Sequence, residues 1–131
     1  MSAAEDPART LIRELARTAR GPKREGVFAL WLTVRVARDI AEGTSPSDRG
    51  QRRRVQALEK RLSSLTLPPQ LRRALGGALA QLRDVRPQTA AAALAQLVAP
   101  TRDALGTDAG EAVQAAARAA HQRVAASVGG R

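Results

Sequence analysis

Apolar residues recur at three- and four-residue spacing along almost the whole of this sequence, and nowhere do they alternate with polar ones over a strand's length. Side chains of an α-helix return to one face every 3.6 residues, whereas those of a half-buried strand do so every second residue. The pattern therefore selects helices. Composition narrows the choice further. Alanine supplies 28 of the 131 residues, and leucine, arginine and glutamine, all good helix formers, are also abundant. β-Branched and aromatic residues, which favour strands, are sparse. Phe28 and Trp31 are the only Phe, Trp or Tyr side chains. The expected fold is all-α: a compact single-domain bundle of five to six short helices over residues 1–131, with the first few and last few residues frayed. Alanine lets helices approach closely but buries little area per residue, and burial is worth only about 25 cal/mol per Å². Modest stability follows, leaving room for a homo-oligomer or for a place as subunit of a larger complex.

Six segments carry the helical period. Asp6 and Pro7 suit the start of a helix over 7–19. Its apolar face holds Leu11, Ile12, Leu15 and Ala19, beside a stripe of Arg9, Arg13, Arg17 and Arg20, and Gly21-Pro22 is expected to end it. The 24–42 segment, closed by Gly43, is apolar around nearly its whole circumference. Such a helix belongs in the middle of its fold, so it is expected to be the central element, with Phe28 and Trp31 as core anchors. Residues 43–50 (GTSPSDRG) read as a loop. Over 51–65, Val55, Leu58, Leu62 and Leu65 form a narrow seam, with Arg53 and Lys60 outward and Arg54 and Arg61 flanking it.

Leu67-Pro68-Pro69 restarts the chain into a helix reaching about residue 85. Leu71, Ala74, Leu75, Ala78, Leu79 and Leu82 face inward there. Gly76-Gly77 in its middle costs about 2 kcal/mol relative to two alanines, which implies a close backbone approach or a kink. A helix from Arg86-Pro87 to Ala99-Pro100, a turn over 101–106 and a last helix from Asp108, with Glu111 completing a capping box, finish the chain.

Charge is the one feature with functional content. The chain carries a net +10, unevenly spread: residues 1–86 hold 18 Lys/Arg and 9 Asp/Glu, residues 87–131 only 4 and 3. Between Arg49 and Arg61 six basic residues face one acid, Glu59. Twenty of the 22 basic residues are arginine. The codon usage of a GC-rich genome enriches arginine and alanine and explains arginine over lysine, but not a surplus of ten over the acids. The candidate nucleic-acid-binding residues are Arg49, Arg52, Arg53, Arg54, Lys60 and Arg61, with Arg72 and Arg73 joining them if the third and fourth helical segments form a hairpin. Arginine forks match phosphate oxygens bidentately and stay charged at any relevant pH. Both aromatics are expected in the core, so contacts go to phosphates and not to stacked bases. Arg72 and Arg73 open a helix that follows a short connection, as in a DNA-reading helix-turn-helix. The rest of its outward face, Gly76, Gly77, Ala80 and Arg83, is poor in base-reading side chains. An ordinary solvated arginine-rich face is the plain alternative to any such patch.

Other chemistry finds few tools. Without cysteine there are no disulfides and no thiolate metal sites. His121 is the only histidine, read as a surface residue. No metal-ligand spacing, nucleophile elbow or phosphate loop occurs. Asp39 and Glu42 sit beside Arg35 and Arg38 and read as ion pairs. No enzyme, cofactor or metal is therefore expected. An N-terminus with Glu5 and Asp6 lacks a signal core, and the apolar run 27–36 is far shorter than the ~20 residues of a membrane span. The expectation is a cytoplasmic protein with no membrane contact. Two functions follow: a non-catalytic accessory subunit whose basic face grips nucleic-acid backbone without reading sequence, or a protein-binding helical scaffold or adaptor, with an acidic protein as partner.

Overall fold

The computed structural model describes residues 21–43 and 48–129, together with Arg13, Leu15, Arg17 and Ala19. Most of the helix expected over 7–19 lies outside the described residues, as do the first few residues, expected to fray, and, of the last few, residues 130–131. Five helices follow in order: α1 Pro22–Glu42, α2 Asp48–Leu62, α3 Pro69–Leu82, α4 Pro87–Leu105 and α5 Thr107–Gly129. All regular structure among the described residues is helical, and no helix there is long and apolar enough to cross a membrane.

Local chemistry explains the boundaries, including those that differ from expectation. Pro22 opens α1 where it was expected to close the segment before it: with φ already fixed and no N–H to satisfy, proline suits a first turn. Gly43 ends α1 in the left-handed conformation, φ 71°, and donates its N–H to the carbonyls of Asp39 and Ile40. Of the loop expected over 43–50, residues 44–47 lie outside the described residues and residues 48–50 are helix instead, because α2 starts at Asp48, an acid in a first turn that complements the helix dipole. α2 ends at Leu62 and not at 65, yet Leu65 is still buried in the turn that follows. α3 ends at Leu82 and not near 85. Val85 then adopts φ 50°, a strained conformation for a β-branched residue.

The turn expected over 101–106 is mostly helix. α4 runs through Pro100 to Leu105, giving up one backbone bond at the proline. Thr101, wholly buried, keeps that last turn against the fold. Gly106 alone then links α4 to α5, with φ 103° and ψ 171°, a region that L side chains essentially never enter. The two helices leave this link very close together. A Cβ built on Gly110 would lie 2.6 Å from Arg102 Cβ and 3.0 Å from its Cα.

Packing ties the five helices into one core. α1 touches each of the other four, and the α4–α5 pair packs most extensively. Leu30, Leu71, Leu75, Leu79, Leu82, Leu94 and Leu97 are fully buried. Between α4 and α5 the buried residues are chiefly alanines, among them Ala90, Ala93, Ala112, Ala116 and Ala120. Gly76 and Gly77 mark close approaches: a Cβ there would meet Leu62 Cδ2 at 3.2 Å and Gln96 Nε2 at 2.9 Å. Among the described helices α2 packs only on α1 and α3, so it is less covered by them than α1 is.

One core assignment is overturned. Trp31 is buried, at 9% exposure, but Phe28 is 43% exposed. Their positions on α1 explain the difference. Gly26, Val27, Leu30 and Val34 take the inward face, which leaves Phe28 on the opposite side.

Candidate nucleic-acid interface

On α2, residues spaced by four and seven positions return to the same face. Arg49, Arg53 and Lys60 follow that spacing, and all three are exposed. They stand opposite the buried Gln51, Val55 and Leu58. The stripe spans about 16 Å along the helix axis at 1.5 Å per residue. Among the described residues none of the three meets a carboxylate. Arg61 is exposed at the edge of this stripe, also without a carboxylate partner there.

Three of the expected residues are occupied within the fold. Arg54 is half-buried and bridges two helices: its Nη1 lies 3.3 Å from Asp39 Oδ2 on α1 and 3.1 Å from Gln51 Oε1 on its own helix. Arg72 Nη2 donates to the Leu65 carbonyl at 2.6 Å, fastening the α2–α3 turn. That bond accounts for a cation in the first turn of α3, where the helix dipole disfavours it. Arg52 is exposed, with its Nε 3.4 Å from the Arg83 carbonyl. Arg73, the neighbour of Arg72, is exposed. The Arg72–Leu65 bond puts it at the end of the hairpin where Lys60 and Arg61 lie.

The hairpin thus brings Arg49, Arg53, Lys60, Arg61 and Arg73 to solvent and turns Arg54 and Arg72 inward. Arg83, just past α3, was not among the expected residues. It forms a two-pronged pair with Glu59, Nε to Oε1 at 3.1 Å and Nη2 to Oε2. The hydrogen bond and charge of Glu59 raise its guanidinium above the ordinary arginine value. This pair takes the one acid of the 49–61 stretch out of play. Sequence spacing could not reveal it, since the partners stand 24 positions apart.

The stripe offers fixed positive charge on a rigid helix and little else. Such a surface binds phosphate oxygens by charge and hydrogen bonding and releases counterions from a polyanion. The helix-turn-helix reading of α3, disfavoured by its outward face, is weakened further by the same geometry. Arg72 is bonded back to its own turn, and Gly76 and Gly77 lie against Leu62 and Gln96. Asp39 pairs with Arg54, and Glu42 with Arg38 at 3.1 Å, so Arg35 is not the partner of either in these two ion pairs. His121 is exposed, and among the described residues no three His, Asp or Glu side chains converge. Two clefts of about 480 and 430 Å³ open beside Glu42 and Arg123 and beside Leu15 and Leu105. Neither brings a nucleophile and a base together.

Sequence reasoning also missed an aromatic–cation cluster on α1. Arg24, Phe28, Trp31 and Arg35 follow helical spacing, which was legible, but the rings were assigned to the core. No family model, no characterised protein sequence and no solved structure matches this chain.

Proposed function

We propose that this protein is a non-catalytic accessory or assembly subunit that holds the phosphate backbone of a nucleic acid without reading its sequence. The carrying observation is the α2 stripe: Arg49, Arg53 and Lys60 on one exposed face, with no carboxylate against them among the described residues. Arg61 and Arg73 extend the surface, with Arg52 at its margin. Arg54 and Arg72 support it by fixing the helix and its turn. α1, in contact with every other helix, is the natural central support of such a bundle.

Salt titration of binding to labelled duplex, single-stranded DNA and RNA tests this reading. Five phosphate contacts give a slope of log K on log salt of about −4.5 on duplex DNA. Binding that is weak or flat against salt rejects the reading. Saturable binding of an acidic protein under the same conditions would then reassign the stripe as a protein-docking face.

A further inference from the structure

Phe28 is the one large apolar side chain exposed among the described residues, and cations flank the Trp31 ring beside it. Its ring centroid lies 5.2 Å from that of Trp31, with the planes at 60°. The guanidinium carbons of Arg13 and Arg35 lie 6.0 and 5.8 Å from the Trp31 ring centroid. Arg24, one helical turn before Phe28, is exposed, as is Arg17, four residues beyond Arg13. None of these four arginines meets a carboxylate among the described residues. Among the described residues, Glu25 is the exposed acid of this stretch.

Two physical costs meet here. An aromatic ring left in water forgoes part of its burial free energy. Several cations gathered around it repel one another. A partner that offsets both must offer flat apolar faces together with negative charge. A second copy of this face would set cation against cation. A neutral apolar segment would leave the arginines unanswered. In a duplex the bases stay stacked on each other and present no face to Phe28. An unpaired strand supplies both parts, a π-face on every base and a phosphate at every link.

We infer that α1 carries a stacking platform for an unpaired base. Phe28 receives the base, Trp31 backs the ring from beneath, and Arg24, Arg35, Arg13 and Arg17 hold the neighbouring phosphates. The inference rests on the phosphate-binding reading of α2 and extends it. The Asp39–Arg54 ion pair joins α1 to α2, so a strand leaving the platform meets the α2 stripe on the adjoining helix. The preferred ligand is accordingly single-stranded.

The test uses the full chain with a thymidine homopolymer and with a duplex of equal length, at one salt concentration. Phe28→Ala is expected to weaken homopolymer binding about 10-fold or more, the size of one base–aromatic stack, and to leave duplex binding unchanged. Phe28→Tyr should restore it. Trp31 is the only tryptophan, so its emission should be quenched by the homopolymer and not by the duplex. Because Phe28 is exposed, thermal melting should show Phe28→Ala folded. If Phe28→Ala changes neither ligand, or both equally, while Arg49→Glu/Arg53→Glu/Lys60→Glu still loses both, the platform is wrong and the phosphate reading survives. Failure of the unaltered chain to bind either ligand removes both readings. Loss of binding to phosphatidylglycerol vesicles in Phe28→Ala, with homopolymer binding intact, overturns the platform in favour of a membrane surface.

Discussion

The α2–α3 hairpin and the α4–α5 hairpin solve the same packing problem in opposite ways. Residues 48–82 hold eight basic and two acidic side chains, whereas residues 87–129 hold three of each. The first pair is closed by leucines, with Leu71, Leu75, Leu79 and Leu82 fully buried. The second is closed largely by alanines and by Gly110, with a one-residue link at Gly106. Leucine fills space and keeps helices apart. Alanine and glycine let backbones meet, gaining packing from close approach and not from area per side chain. The lesson is a division of labour: the tight, neutral pair packs most extensively, while α2, which among the described helices touches only α1 and α3, keeps an exposed face for charge.

Exchanging residue sizes between the two hairpins should have the largest effect. Leu75→Ala in the first hairpin should cost about 3 kcal/mol, and Ala116→Leu in the second about 2 kcal/mol by overpacking, both read by urea denaturation. Equal tolerance of Ala116→Leu would show that the alanine interface has slack and that the contrast is false.

Charge reversal comes next. Arg49→Glu/Arg53→Glu/Lys60→Glu should lower nucleic-acid affinity about 100-fold at low salt and reduce the salt slope by about 3. The same charge change in the other hairpin, Arg102→Glu/Arg118→Glu/Arg123→Glu, should lower it far less. Matching losses would mean that net charge alone, and not the α2 stripe, attracts the ligand. Arginine and lysine keep their charge through the neutral range, so affinity should also stay level between about pH 6 and 8.

Gly106→Ala places a side chain at φ 103° and should lower stability by about 1–3 kcal/mol without touching affinity. A melting temperature equal to that of the unaltered chain would show that the link relaxes freely. The smallest effect separates structure from binding within the basic cluster. Arg72→Met keeps the side-chain stem but loses the bond to the Leu65 carbonyl, so stability should fall by about 1 kcal/mol while affinity changes little. A large loss of affinity would return Arg72 to the binding surface.

Much of this architecture was legible in the chain itself. The leucine faces of α2 and α3 were read correctly, because burial along a helix follows a period set by backbone geometry. Element ends were less legible. Pro22 and Pro100 were read as breaks, though proline is welcome in a first turn and tolerable where tertiary packing holds the helix. Among the candidate site residues, helical spacing placed Arg53 and Lys60 outward. It carried no information on Arg54 and Arg72, whose partners Asp39 and Leu65 belong to other segments. Phe28 is the clearest misreading. Hydrophobicity predicts which residues favour a core, but α1 is not covered on every side, and the sequence does not say which side is left open.

What the residues determined by themselves is the helical state, the period of each buried face and the imbalance of charge along the chain, since all three depend on near neighbours and composition. Which cations pair inward, which stand free, and that an aromatic ring lies among them was decided only when the helices packed. Those outcomes depend on the few ångströms separating side chains far apart in sequence, and on which face of each helix its neighbours leave uncovered.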